Sequence, residues 1–401
     1  MYWLYNISIL IYELLVRLAS LFNAKAKLLI GGRRKIFDQI AIKTQNLEHP
    51  IWFHFASLGE FEQGRPVLEK IKSLNAEEKI IITFFSPSGY EIRKNYTLAE
   101  GIFYMPLDTT ANAKKFIELV NPKIAIFTKY EFWPNYFTEL ALKQIPLYII
   151  SGIFRPNQVF FKWYGGFYRN LLKSVDYFFV QNEESAALLK SIGINNINIS
   201  GDTRFDRVFE NAQQPKQLPI IKQFCANAPV LIAGSTWPDD EKLLVDLATK
   251  YPNWKIIIAP HEIHESHISE IEKLFPQATK FSELNPMKPD HQVLIIDNIG
   301  MLSSLYQYGK IAYIGGGFGI GIHNTLEAAA FGLPVIFGPN YHKFQEAKDL
   351  INIRAAKSIC NTGELVSAFE YFNKNENGKI ASSYVAEKKG ATDIIIEKIS
   401  S

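Results

Sequence analysis

Cysteine is nearly missing from this chain: among 401 residues there are two, Cys225 and Cys360. They lie far apart with no metal-type spacing, so they build no disulfide framework and fit a reducing compartment. The histidines and carboxylates likewise form no recognisable zinc or calcium pattern, and no metal is expected. An excess of one charge is also lacking. A formal net charge of +3 is too small to argue for nucleic acid. No repeat or low-complexity tract stands out. What remains is an ordinary globular composition, 47% hydrophobic and 21% charged, on a length that suits two or three domains.

The N-terminus departs from that picture. Residues 3–22 are almost wholly apolar but include Asn6, Glu13 and Arg17. Such a segment is just long enough to span a bilayer, yet two charges near its centre are costly there. Lys25, Lys27, Arg33, Arg34 and Lys35 follow. No small-residue cleavage site is evident, which argues against a secretory signal. The expectation is an anchor lying in the interface, its apolar face in the membrane and its basic flank on anionic cytoplasmic headgroups. A single span with the basic side inside competes with it, and so does an amphipathic helix packed on the protein's own core.

Beyond the anchor, short apolar runs alternate with helical patterns. Strands are expected at 51–56, 79–84, 102–105, 124–128, 147–151 and 177–181. A second series follows at 230–233, 254–259, 293–296, 310–315 and 334–337. Helices are expected at 61–74, 112–120 and 183–192. That alternation predicts parallel sheets with helices on both faces. The polar stretch 211–219 is the best linker. The division expected is an anchor with basic flank (1–35), a first Rossmann-like domain (36–210), a second (211–375) and a C-terminal helix (376–401) that packs back on the first. Two doubly wound domains would face one another across a cleft at the carboxyl ends of their strands.

The motifs fall at strand ends. After 310–315 comes a run with Gly315, Gly316, Gly317, Gly319 and Gly321, then a short helix carrying Glu327. Such a loop lets backbone N–H groups approach an anion, helped by the helix N-terminus. Glu327 one turn on suits ribose hydroxyls. The alternative is a turn needed only for tight packing. The dinucleotide fingerprint fails, because Ile320 or Ile322 stands where its last glycine belongs. Glu60, at the junction after 51–56, reads either as a catalytic base or as the far end of a Ser57-Leu-Gly-Glu60 capping box. The helix N-terminus stabilises its carboxylate, so work as a base demands desolvation. Thr128 and Glu131 repeat that spacing, while Trp133, Pro134 and Asn135 form an aromatic and polar group suited to a sugar or lipid headgroup. Arg155 follows a strand and is either an anion ligand or a solvated cation. Ser235 and Thr236 either bind phosphate or cap a helix. His261, beside Pro260, suits a base or phosphate, whereas His264 and His267 read as surface residues. Lys343 stands where it can reach a donor sugar.

Taken in order, Ser57-Leu-Gly-Glu60, Pro106-Leu-Asp108, Glu131-Phe-Trp-Pro-Asn135, Gly201-Asp-Thr-Arg-Phe-Asp206, Ala233-Gly-Ser-Thr236, His323-Asn-Thr-Leu-Glu327 and Phe344-Gln-Glu346 resemble the Kdo (3-deoxy-D-manno-octulosonic acid) transferases of glycosyltransferase family 30. The resemblance covers nearly the whole chain and includes the N-terminal membrane segment. It implies a GT-B architecture, CMP-Kdo as donor, a lipid A precursor as acceptor at the cytoplasmic face of the inner membrane, and no cofactor. It places the catalytic base on Glu60 and nucleotide contacts on Gly234, Ser235, Thr236, Pro260, His261, Gly315, Gly316, Gly317, Asn324 and Glu327. It leaves Ser57, Glu131, Trp133, Asn135 and Arg155 for an acceptor or sugar pocket. Two departures stand out. The arginine that many members carry before the histidine is absent at Pro260-His261-Glu262, and Lys343 replaces an asparagine. Lys343 or Arg155 is the cation available to compensate. A nucleotide-sugar epimerase of the same architecture and a non-catalytic membrane-associated scaffold are the competing readings.

Overall fold

The computed structural model describes residues 1–285 and 291–400; residue 401, the last of the expected C-terminal segment, lies outside them. The chain divides into two compact units, Met1–Asp206 with Lys389–Ser401, and Arg207–Lys388. In the first, seven parallel strands form one sheet: β1 (Ile51–Phe55), β2 (Ile80–Phe84), β3 (Gly101–Tyr104), β4 (Ile124–Thr128), β5 (Leu147–Gly152), β6 (Tyr177–Val180) and β7 (Ile197–Ile199). Their order is β3-β2-β1-β4-β5-β6-β7. Every residue of β1, β2 and β4 is buried, as unbroken apolar runs must be when helices cover both faces of a parallel sheet.

The second unit repeats the plan with β8 (Val230–Thr236), β9 (Lys255–Pro260), β10 (Thr279–Lys280), β11 (Val293–Ile295), β12 (Ile311–Ile314), β13 (Val335–Phe337) and β14 (Ala356–Ser358). The order is β10-β11-β9-β8-β12-β13-β14. In each sheet the first strand lies between two later ones, so the winding direction reverses beside it: at β1 and β4, and at β8 and β12. Crevices that take ligands open at the carboxyl ends of strands at such reversals. The strands not expected, β7, β10 and β14, are outermost and two or three residues long. A strand that short shows no period.

Two boundaries differ from expectation. The helix Asn377–Lys388 stays with the second unit, where a Cβ on Gly378 would fall 1.9 Å from the Gly332 carbonyl oxygen. Only the helix Ala391–Ser400 joins the first, its Ile395 and Ile396 entering the core with Ile71 and Phe61. Asp206 caps that last helix, accepting from the Gly390 N–H and from the Thr392 N–H and hydroxyl.

The N-terminal segment is no separate domain. It folds as α1 (Tyr2–Ala19), α2 (Ala24–Gly32) and α3 (Ile36–Thr44) within the first unit. Among the described residues no helix is long and apolar enough to cross a membrane, so the single-span alternative has no helix to carry it. α1 packs on the unit along one narrow face, with Ile9 its one buried residue and Tyr2, Tyr5 and Tyr12 lying against Phe167 and Phe85. Its polar edge faces the body of the unit, through Tyr2, Tyr5 and Asn6. Leu4, Ile7, Leu10, Ile11, Leu14, Leu15 and Leu18 are exposed, followed by Leu21 and Phe22. That helical stripe points outward.

Candidate functional site

In the first unit the residues after β1 start α4 (Leu58–Leu74), with Ser57 as its N-cap. The Ser57 hydroxyl accepts from the Gly59 N–H at 3.2 Å and donates to the Glu60 carboxylate. Glu60 thus bonds the cap's hydroxyl, not its backbone N–H, and the reciprocal capping box read from the spacing is not the one formed. The half-buried carboxylate stands on the first turn, at the β1/β4 reversal. Tyr130 is raised above the usual phenol range by burial, further by the nearby Glu60 charge, and is held back by Arg155. Glu60, Tyr130 and the exposed Arg155 therefore share one neighbourhood.

The second capping box fails outright. The helix after β4 begins at Pro134, and the buried Thr128 hydroxyl has no hydrogen-bond partner. Lys129 takes a left-handed backbone (φ 62°), and Glu131 turns back toward the sheet. Its Oε2 accepts from Trp133 Nε1 at 3.0 Å and meets His54 Nε2 at 3.3 Å. His54, fully buried on β1, has its Nδ1 2.8 Å from the Thr83 hydroxyl, which accepts from Trp52 Nε1 at 2.8 Å. The Thr83 hydroxyl also lies 3.5 Å from the Phe53 carbonyl oxygen, to which it donates. Both Glu131 contacts fall on one carboxylate oxygen, Oε2.

Asn135 does not join them. Its amide oxygen accepts from the Tyr2 and Thr110 hydroxyls, and its nitrogen donates to Asp108 O and Asn6 Oδ1. All four hydrogen-bonding positions of its amide are taken, two by Tyr2 and Asn6 of α1 and two by Asp108 and Thr110, so its side chain ties α1 to the segment 108–110. Asp108 completes the tie, accepting from the Tyr5 hydroxyl and the Asn135 and Tyr136 N–H groups. Burial raises its carboxyl above the usual range, against the pull of these bonds.

In the second unit the ends of β8, β9 and β12 frame a cavity of about 510 Å³ lined by Trp237, Asp240, His261, Gly316, Phe318 and His323, among others. Trp237, His261 and His323 form a stack, with ring centroids 4.9 Å and 4.3 Å apart. Trp237 Nε1 donates to His323 Nε2 at 3.1 Å, which requires that nitrogen unprotonated. Burial, and secondarily His261, push the His323 imidazole down to about 4. An imidazole held there keeps its proton off as pH falls through the ordinary range near 6.5. We expect its ring C–H resonance to stay flat between roughly pH 7.5 and pH 5 by NMR. A midpoint near 6.5 would contradict the stack.

The glycine run serves packing and approach differently along its length. A Cβ at Gly315 would lie 2.3 Å from Ser235 O, and one at Gly317 2.6 Å from Gly338 Cα, so backbone crosses backbone there. Gly319 meets nothing nearer than 3.7 Å. The N–H of Gly316 (φ 88°) is already taken, donating to Asp240 Oδ2 at 2.9 Å. Asp240 also accepts from the Trp237 N–H and the Tyr313 hydroxyl, and burial raises its carboxyl. Asp240 thus braces the loop from below. Nothing in the acidic run 239–241 distinguishes it from an ordinary helix start.

Thr236 likewise turns inward: its hydroxyl donates to Glu241 Oε1 at 2.9 Å, and Glu241 Oε2 meets His267 Nε2 at 3.0 Å. The bond to Glu241 takes up the proton of the Thr236 hydroxyl, and His267, expected on the surface, is buried. Ser235, near the end of β8, keeps a left-handed backbone (φ 53°). Pro260 ends β9. Asn324 holds Glu327 at 3.2 Å. Burial raises the Glu327 carboxyl while the Arg207 charge lowers it, so Arg207 is a neighbour the sequence did not single out. Lys343 is exposed.

Two such units, each with polar side chains at the reversal of a parallel sheet, define a Rossmann-like two-domain α/β protein. UDP-GlcNAc 2-epimerase from Neisseria meningitidis shares this fold with a TM-score of 0.60 at 16% identity, covering 87% of this chain and 99% of that one. Residues 31–207 match the family model described as 3-deoxy-D-manno-octulosonic-acid transferase (kdotransferase). Along most of its length the chain is similar to the 3-deoxy-D-manno-octulosonic acid transferase of Aquifex aeolicus, 28% identical over 345 residues (83% of this chain, 88% of the relative). The protein of the same name in Rickettsia bellii is 27% identical over 376 residues, 89% of this chain and 88% of that one. Over residues 31–207 by the family model, and over most of its length by these relatives, the chain is similar to the Kdo transferases.

Proposed function

We propose that this chain transfers Kdo from CMP-Kdo to a hydroxyl of a lipid A precursor in lipopolysaccharide assembly, with inversion and without a metal. The observation that carries this reading is similarity along most of the chain to transferases of that name. In it Glu60 takes the proton of the acceptor hydroxyl as that oxygen attacks the anomeric carbon of Kdo. The bond from that carbon to the CMP phosphate oxygen breaks, and CMP leaves with the electron pair. Glu131, held by His54 and Trp133, offers Oε1 to a sugar or acceptor hydroxyl. The second unit binds the donor: the cavity beside Trp237, His261 and His323 takes the nucleotide, with Asn324 and Glu327 at the ribose. Backbone N–H groups and cations meet the developing phosphate charge.

The outward stripe of α1 rests in the cytoplasmic leaflet of the inner membrane, where a lipid acceptor resides. The epimerase reading has likeness of fold behind it and no more, and it gives that stripe no task. Purified protein incubated with CMP-Kdo and a tetra-acylated lipid A precursor is expected to yield a Kdo adduct by mass spectrometry, unchanged by excess EDTA. No mass gain, under conditions that serve a known transferase, would reject the assignment. Loss of the adduct with EDTA would reject its metal-independence.

A further inference from the structure

Among α1, α2 and the turn into α3 lies a pocket of about 700 Å³, which the helix Thr110–Val120 closes with Lys115. Six cationic side chains line it, Arg17, Lys27, Arg33, Arg34, Lys35 and Lys115, against two carboxylates, Glu13 and Asp38. Glu13 is already engaged by Arg17 at 2.6 Å. Arg33 donates through Nε to Met105 O (2.8 Å) and through Nη2 to Phe85 O (3.3 Å), and it lies over the Phe85 ring. Burial lowers its guanidinium below the usual range, against a smaller opposing pull from nearby tyrosines and Glu13. Among the described residues, Lys27, Arg34, Lys35 and Lys115 make no ion pair, and Lys115 Nζ sits 4.7 Å over the Phe37 ring. Lys35 enters α3 with a left-handed backbone (φ 55°) and no side-chain capping bond. Like charges gathered around one cavity repel, and an anion inside it reverses the sign of that interaction.

The surroundings narrow the anion. Arg17 stands on α1 between Leu14 and Leu18, 58% and 54% exposed, and the chain then turns through Leu21 and Phe22, 71% and 93% exposed. A ligand that uses both features carries phosphate at one end and acyl chains at the other. We propose that this pocket is a discrete binding site for the phosphate of an anionic lipid headgroup, distinct from the cavity in the second unit. The proposal rests on the membrane placement of α1 given above, but its test needs neither a bilayer nor catalysis.

The intact chain is titrated calorimetrically with dihexanoyl phosphatidic acid below its micellar concentration, with dihexanoyl phosphatidylcholine, and with inorganic phosphate. Phosphatidic acid is expected to bind with one-to-one stoichiometry and at least about tenfold more tightly than either alternative. Replacing Arg34, Lys35 and Lys115 together by Gln should weaken it by roughly tenfold or more. These side chains are exposed, so folding should persist, checked by the melting curve; Lys115→Glu alone is the fallback. The control removes the same charge elsewhere, through Lys242→Gln, Lys374→Gln and Lys379→Gln, and should leave binding unchanged. Equal weakening by the control would replace the site with diffuse attraction. Inorganic phosphate binding as tightly as the lipid would remove the lipid from the proposal. No binding, or phosphatidylcholine binding equally well, would overturn it. None of these results depends on whether Kdo is transferred.

Discussion

Glu60→Gln is expected to lower the rate of Kdo transfer by on the order of 10²–10⁴, the usual contribution of a general base, while the fold survives. Gln has the shape of Glu and its amide oxygen still accepts from the Ser57 hydroxyl. The capping bond proper, Gly59 N–H to Ser57 Oγ, does not involve residue 60. The loss in stability should therefore stay within about 1 kcal/mol, the scale of a helix cap. Donor binding belongs to the other unit in this reading, so CMP affinity should be unchanged. Turnover by mass spectrometry, a melting curve and CMP titration on the same preparation decide the matter. A lower melting point with unchanged turnover per folded molecule would make Glu60 a capping residue and nothing more.

Replacing Leu10, Leu14 and Leu18 together by Gln should release the protein from lipid vesicles without unfolding it. These side chains are 57%, 58% and 54% exposed, so the folded unit gains little from them. Burying a leucine side chain is worth roughly 1.5–3 kcal/mol. Removing three from the interface should weaken partitioning by at least about 10²-fold. Sedimentation with vesicles measures this, and circular dichroism checks the helix. Undiminished sedimentation would mean that the stripe does not meet the membrane. A melting transition lowered by several degrees would mean that it packs on protein.

The Glu60 and Glu131 positions show how far spacing carries. Ser-x-x-Glu occurs at 57–60 and Thr-x-x-Glu at 128–131, and the pattern reads the same in both. One glutamate stays on its helix and bonds the cap's hydroxyl. The other leaves the helix altogether, because Pro134 sets a later start and its carboxylate meets Trp133 and buried His54 instead. The bonds of Asn135, Thr236 and His267 are not legible in the sequence for one reason: their partners, Tyr2, Glu241 and others, lie five to 133 residues away. No periodicity reports a contact across such distances. Asp240 went unnoticed because a carboxylate in a first helical turn is ordinary until the glycine loop is seen resting on it.

By itself, the order of amino acids determined the two parallel sheets, the strand ends where the polar side chains gather, and the amphipathic N-terminal helix. Runs of β-branched and aromatic residues, and an apolar period near 3.6, are local properties that burial enforces wherever the segment lands. Tertiary structure alone decided which hydroxyls and carboxylates were consumed by neighbours and which were left facing open space. It also decided which way the apolar stripe of α1 points. Those outcomes follow from pairing among distant segments, where a buried polar group takes whatever partner the fold brings within about 3 Å.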